Sequence, residues 1–559
     1  MKHLLIFKSS SSRTHLGHEN IANQHEVHSN IVAGCGIKQL ATSNTFFVVL
    51  NTQRANTASL RAKFSKLGID AVFPGDSSFE KFAAPFNKRL SYIPAAIVFP
   101  NHTEAVSNCV KVAVEEKLPV STRSGGHLYA AYGLGGGNGA LVVDVSRLKT
   151  IFVHQSTGQA VIGTGNRLGD MAIGLYSQGG RAIPHGTCPY VGIGGHAAFG
   201  GFGTTSRMWG LTLDNIIGHE VVLANGTIVQ ASQDSNPDLF WALRGAGASY
   251  GIMTSIKFQT HSAPSQATNF HIKWYLSQNE LANALLKFQV FCRSNLPSEL
   301  AIDANLKKAP KSGLLVFSLV GTWNGEESKF AAVIQPLLDG MPAPIESLVK
   351  RNDWLDSLQT SARSDNLSTS GVDLSAEHDT FYAKSLTTPQ STPMSNSSIQ
   401  AFTEYLASEG LKTDTVRNGL TVYSILNYSF VIICIKQNWF VQFELYGGQN
   451  SAITSVAKDA TAFAQRSILF TIQFYTSSSN YSPPFPDAGL TFLDQMVAAI
   501  VNNGPSGWEY GAYSNYVDAR LSSNEWKNLY YNTHYQRLTQ TKVAYDPQNI
   551  FSYPQSIGE

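Results

Sequence analysis

Two glycine-rich stretches carry the strongest chemical signal in the chain. Gly125 and Gly126 follow the β-rich run LPVSTR in STRSGGH, and a turn of this kind lets successive backbone N–H groups converge on an anion with no Cβ in the way. That reads as a phosphate cradle, although not as the G-x-G-x-x-G fingerprint that joins a strand to a helix in dinucleotide-binding folds. The second stretch, HGTCPYVGIGGHAAFGGFGTTSRMWGL, places seven glycines between Gly186 and Gly203. Such a run loses much backbone entropy on folding, and a ligand lying against bare backbone is the natural compensation. Each stretch also holds a nucleophile, His127 in the first and Cys188 in the second. Taken singly, the histidine reads as a packed or exposed side chain and the cysteine as a small buried hydrophobe.

The elements that must position these loops follow from the surrounding pattern. From Ser59, SLRAKFSKLGI has helical spacing, and AAIVFP, TEAVSNCVKVAVEEKLPVSTRSGGH reads strand, helix, strand, glycine loop. The same α+β unit continues to SIKFQTH. A second unit alternates apolar and polar residues in FHIKWYL, GLLVFSLVGTW and WFVQFELYGG, between helical stretches, which predicts an antiparallel sheet with covering helices. The expected boundaries are a poorly ordered extension over 1–57, units over 58–262 and 263–474, and a Tyr-, Trp- and Pro-rich segment over 475–559.

Composition narrows the partners. Lys plus Arg is 41 and Asp plus Glu is 39, a net +2 with no long like-charged block, so no nucleic-acid footprint is present. Charged residues make up 14%, well below the roughly 25% of an average soluble protein, which leaves Ser, Thr, Asn, Gln and Tyr to supply much of the wet surface and leans towards a secreted or carbohydrate-facing protein. Cys35, Cys109, Cys188, Cys292 and Cys434 are scattered singly, with no C-x-x-C pair for zinc, and no metal is expected. The apolar runs Phe46 to Leu50 and Phe430 to Ile435 are far shorter than the roughly 18 residues of a membrane span, so no membrane association is expected. The start MKHLLIF is a poor signal peptide, its apolar core being under about 7 residues.

Three motifs together carry a family resemblance: R-S-G-G-H at Arg123 to His127, G-T-C-P-Y-V-G-I-G-G-H at Gly186 to His196, and Y-D-P-Q-N-I-F-S-Y-P-Q-S-I at Tyr545 to Ile557. They resemble the berberine-bridge-enzyme-like branch of the vanillyl-alcohol-oxidase flavoprotein superfamily, and most of all its fungal glucooligosaccharide and chitooligosaccharide oxidases. The resemblance implies a PCMH-type two-part FAD-binding domain, a substrate domain with a helix-covered antiparallel sheet, and a C-terminal segment that completes the active site. It implies FAD bonded through His127 to the flavin 8α-methyl carbon and through Cys188 to flavin C6. Two tethers would hold the cofactor at an open groove and draw electron density from its ring. Arg123, Ser124, Gly125, Gly126, Gly192, Ile193, Gly195, His196 and Ile252 would border the same cofactor, while Arg244 reads equally as a phosphate or a surface arginine.

Flavin oxidation of an alcohol needs a base within hydrogen-bond reach of the hydroxyl on the carbon that faces flavin N5. By the resemblance the base is Tyr516, in YSNYVD, beside the carboxylate of Glu444, in WFVQFELYGG. The oligosaccharide oxidases usually carry Asp at that place, and the extra methylene leaves the pair's geometry open. Gln442 shares a strand face with Glu444 because side chains alternate with period two. Gln473, Tyr129 and Tyr382 complete the expected groove, whose aromatic faces and amides suit pyranose rings. His534 replaces an Asn of the family pattern N-Y-x-R-L, which unsettles one flavin-side contact, and the cysteine pair that often clips the family's N-terminus is missing.

Val416 to Gln437, VRNGLTVYSILNYSFVIICIKQ, reads as foreign. A Val codon begins GT and one Gln codon ends AG, the two ends of an intron, so this 22-residue segment is read as a translated intron, with an extra hairpin as the alternative. The expectation is a monomeric oxidase acting on the reducing-end C1 hydroxyl of an oligosaccharide, giving lactone and, from molecular oxygen, hydrogen peroxide. The alternatives are a berberine-bridge-like oxidase of a secondary metabolite and a flavin-binding remnant without turnover. Secretion is implied by the resemblance, and sequons at Asn101, Asn225, Asn366, Asn396, Asn427 and Asn480 permit glycosylation.

Overall fold

The computed structural model describes residues 57–373, 377–412 and 437–558, together with the pairing of Ser424–Ile425 with Tyr428–Ser429. The expected N-terminal extension thus lies outside the described residues except at its last position, as do most of 416–437 and the sequon at Asn427. A helix over 57–66 leads into two sheets that flank the helix Thr103–Glu115. The first orders Asp70–Val72, Ala96–Phe99, Leu141–Asp144 and Val120–Arg123, the last three parallel. The second is antiparallel and orders Ile151–His154, Gln159–Gly163, Ile252–Gln259, Ile216–Val222 and Ile228–Ala231. Parallel strands buried on both faces need continuous apolar runs, which AIVF supplies. The helix presents Val106, Cys109, Val110 and Ala113 on one stripe, and they pack in a core with Ala96, Val98, Leu141, Val222 and Ile252 from both sheets.

The remaining large sheet has seven strands, all neighbours antiparallel, in the order Glu346–Asn352, Ala267–Leu276, Leu315–Trp323, Leu300–Lys308, Gln437–Leu445, Ile468–Ser478 and Phe381–Pro389. Val441, Phe443, Ile472 and Phe474 join a core with Leu285 and Phe288 of the helix Gln278–Cys292, Ile399 and Phe402 of Asn396–Tyr405, and Leu493 and Met496 of Asp487–Val501. The helix-covered antiparallel sheet expected from the alternating runs is therefore present. Its opposite face carries the polar positions. The C-terminal segment returns to the other core, where Tyr513, Val517, Leu538 and Ile557 pack with Ile193, Leu239 and Tyr250. On the way it bonds to the sheet edge, Thr387 N donating to Gly511 O at 2.8 Å, and this delivers Tyr516 beside the sheet. Among the described residues no helix is long and apolar enough to cross a membrane.

The described residues on either side of the foreign-looking segment are in direct contact. The indole N–H of Trp439 donates to the carbonyl of Gly410 at 3.0 Å, out of water, so the end of one element touches the start of the next. Loop-closure entropy rises slowly with loop length, and removing residues 416–437 should raise stability by about 1 kcal/mol. A calorimetric midpoint equal to or above that of the full chain is expected. A lower midpoint would show that the segment contributes packing of its own.

Candidate active site

The strand Val120–Arg123 ends in the loop that carries His127, and Gly126 turns it with φ at +75°, a conformation that only glycine adopts cheaply. The cysteine loop, Gly186 to Gly192, runs into the short helix Ile193–Ala198. The two loops touch through their backbones. A Cβ on Gly125 would meet Gly192 N at 2.3 Å, and one on Gly192 would meet Gly125 N at 2.1 Å. Ser124 fastens the contact, its Oγ donating to Thr164 O at 2.6 Å and accepting from Gly194 N at 3.3 Å. Loop-against-loop packing thus requires a glycine at position 125, which also lies on a cavity wall. Gly192→Ala should therefore cost roughly 1–3 kcal/mol through overpacking and lower the share of purified protein that carries flavin, as read from the visible-to-ultraviolet absorbance ratio.

His127 and Cys188 face one cavity of about 380 Å³. The imidazole stacks on Phe86 with centroids 3.8 Å apart, and its Nε2 is buried with no hydrogen-bond partner. Burial pulls its pKa down to about 3, so the ring is neutral and nucleophilic at physiological pH. Cys188 is a free thiol, pushed up by burial and partly drawn back by the N–H groups of Tyr190 and Val191. Gly195 lies on the cavity wall, and nothing stands within 4 Å of where its Cβ would be. An uncharged imidazole, a free thiol and bare backbone around one space fit a flavin bonded at both edges.

The other expected cofactor neighbours divide. Arg123 lines the cavity, but its Nε bonds Asp144 Oδ2 at 2.6 Å. His196 lines it too, its Nε2 accepting from Gly186 N at 3.0 Å, and burial takes its pKa down to about 3. Ile193 and Ile252 do not reach the cavity, because both side chains point into apolar cores and are fully buried. His534 is also elsewhere: its nitrogens face Ala462 O at 3.2 Å and Asp459 Oδ1 at 3.0 Å. Arg244 lies over the ring of Phe240 and bonds Phe240 O and Ala460 O.

The polar face of the seven-stranded sheet forms the facing wall. Its register sets Asp303 opposite Glu444 and Glu444 opposite Thr471, and in the next row Asn305, Gln442, Gln473 and Ser385. Tyr516, in the short turn Ser514–Tyr516, donates to Glu444 Oε1 at 2.6 Å. Gln473 Nε2 donates to Tyr129 Oη at 2.7 Å, and the rings of Tyr129 and Tyr516 lie parallel with centroids 5.8 Å apart. Glu444 is 4% exposed; burial, then the charge of Asp303, pushes its pKa well above the carboxylate range, and burial with the Glu444 charge likewise raises Tyr516. The resting tyrosine therefore keeps its proton.

Tyr382 is a correction. It stands opposite Thr476, which pairs with Trp439, so its parity is opposite to that of Gln473 and Gln442, and period two sends it to the helix-covered face. There its Oη donates to Asp494 Oδ1 at 3.0 Å and Asp518 Oδ2 at 3.1 Å, beside Lys384. Sequence reasoning also missed Asp303, Phe86 and Tyr513 on the cavity wall. The alternation in LAIDANLKK was the available signal for Asp303.

The FAD binding domain family matches residues 94–232, and the berberine and berberine-like family matches residues 512–558. The FAD-linked oxidoreductase dpmaF of Metarhizium anisopliae is 33% identical over 510 residues, covering 91% of this chain and 93% of its own. A xylooligosaccharide oxidase of Thermothelomyces thermophilus is 36% identical over 482 residues, covering 85% and 89%. The structure of a glucooligosaccharide oxidase from Acremonium strictum, whose FAD is 6-S-cysteinyl and 8α-N1-histidyl, has a TM-score of 0.79 at 31% identity, covering 89% of this chain and 99% of that one. With FAD as its cofactor and carbohydrate oxidases among its relatives, the chain belongs to the berberine-bridge-enzyme-like FAD-linked oxidoreductases.

Proposed function

We propose that the protein oxidises the anomeric C1 hydroxyl at the reducing end of an oligosaccharide to the lactone, with oxygen reduced to hydrogen peroxide. The observation that carries this reading is the 2.6 Å bond from Tyr516 to Glu444 on the wall of the same cavity that holds His127 and Cys188. These two side chains would hold FAD, which when bound supplies the hydride acceptor for C1 and returns the electrons to oxygen. Tyr516 takes the hydroxyl proton while its own proton passes to Glu444 Oε1. Gln442 and Gln473, side by side in one row of the sheet, offer amides to neighbouring sugar hydroxyls. One row further out on the same face, Phe440 and Tyr475 stack with centroids 4.8 Å apart, a platform for the apolar face of a further pyranose. Secretion as a glycoprotein belongs to the same reading, and the five described sequon asparagines, Asn101, Asn225, Asn366, Asn396 and Asn480, are all exposed.

The test is a panel of xylo-, cello-, chito- and malto-oligosaccharides given to the flavin-loaded protein, with peroxide release and product mass as readouts. Oxidation of reducing sugars, with their alditols inert, is expected. Bleaching of the flavin by an apolar polycyclic substrate and by none of the sugars would replace this reading with that of a secondary-metabolite oxidase.

A further inference from the structure

Asp303 and Glu444 stand directly opposite each other on neighbouring antiparallel strands, and both line the cavity. One amide bridges them: Gln442 Nε2 donates to Asp303 Oδ2 at 3.1 Å and to Glu444 Oε1 at 3.4 Å. Glu444 Oε2 is buried with no partner at all. The titratable groups that act on the pair come from every side of it. Tyr513 and Tyr516 belong to the C-terminal segment, Tyr129 to the histidine loop, Tyr446 to the end of Glu444's own strand, and Cys292 to the helix Gln278–Cys292. None of these becomes a cation at any pH. Two adjoining carboxyls withdrawn from water, with no positive charge among the described groups that act on them, do not both ionise near neutrality.

We propose that Asp303 is a positioning residue for the oxidation: the two carboxyls share one proton, with the charge on Asp303, where an amide donor holds it, and the proton on Glu444. The inference rests on the reading of Tyr516 and Glu444 as the proton-transfer pair. With its proton in place Glu444 cannot receive that of Tyr516. Loss of the shared proton to solvent as pH rises opens the path. The substrate hydroxyl then gives its proton to Tyr516, Tyr516 gives its own to Glu444, and the pair regains the single proton it had released. Asp303 thereby sets the pH at which turnover begins. Burial raises its carboxyl above the usual carboxylate range.

A pH titration of the flavin-loaded protein tests this, followed by the infrared carbonyl band of protonated carboxyls and by the rate of flavin bleaching with a reducing oligosaccharide. The wild type should show the band at neutral pH and lose it on the alkaline side in step with a rise in rate. Glu444→Gln should lack it. Asp303→Asn should move both midpoints to lower pH by about one unit or more, while Asp303→Glu restores them. A wild type with no titrating band, or unmoved midpoints in a flavin-loaded Asp303→Asn, would overturn the proposal. Should Asp303→Asn fail to fold, the wild-type band and its loss in Glu444→Gln decide alone. A band that behaves as expected in a protein that bleaches with no sugar would sink the sugar reading and leave the shared proton standing.

Discussion

Tyr516→Phe is expected to lower kcat/KM for the sugar by about two to four orders of magnitude, the range associated with a general base, with flavin content unchanged. The phenyl ring keeps the parallel contact with Tyr129 and the edge contact with Tyr513 at 5.0 Å, so the wall retains its shape. What disappears is the hydroxyl that donates to Glu444 Oε1 and, with it, the route for the substrate proton. Stopped-flow bleaching of the flavin isolates this step from the reaction with oxygen. A loss under tenfold would assign proton removal to another group. The pH dependence has a definite sign. Glu444 is raised above its ordinary value, so the folded state binds a proton there that the unfolded chain releases. Its contribution to stability is complete below the unfolded carboxyl value and is lost as pH climbs towards the folded one. Activity follows the opposite course, because the relay needs the ionised carboxylate. The protein should therefore be most active on the alkaline side, where this group no longer favours the folded state.

How much of this site was legible in the sequence depends on whether a feature is local. The glycine loops, His127, Cys188 and the Y-S-N-Y-V-D turn are continuous motifs, and the cavity brings them together. Period two placed Gln442 on the face of Glu444, since that relation stays within one strand. Asp303 is different: its partnership with Glu444 exists only in the register between two strands far apart in the chain, and alternation within one strand gives a residue's face but not its partner on another strand. Tyr382 failed for a related reason. FYAKSLTTP is buried or half-buried along its whole length, so its parity gives no hint of which face meets the helices. Gly125 answers a further demand, backbone contact with Gly192, which a single chain segment cannot reveal.

Replacing both His127 and Cys188 by alanine should leave no flavin attached after denaturation, whereas either single replacement should leave flavin bound to part of the protein. The contrast follows from the two environments. His127 is held flat against Phe86, and its pKa of about 3 keeps it unprotonated at every pH at which the protein is handled, so a bond through it should form independently of pH. Cys188 is pushed the other way, its thiol raised by burial, and the thiolate is the reactive form. Flavin attachment in His127→Ala should accordingly be slower and rise with pH, while attachment in Cys188→Ala stays flat across the same range. Mass spectrometry of the denatured variants, one FAD increment per chain or none, reads the outcome directly. Flavin released intact from the unmodified protein, or still attached in the double variant, would show that neither side chain is the tether. Identical pH dependence in the two single variants would show instead that the environment of the imidazole and the thiol does not control their reactivity.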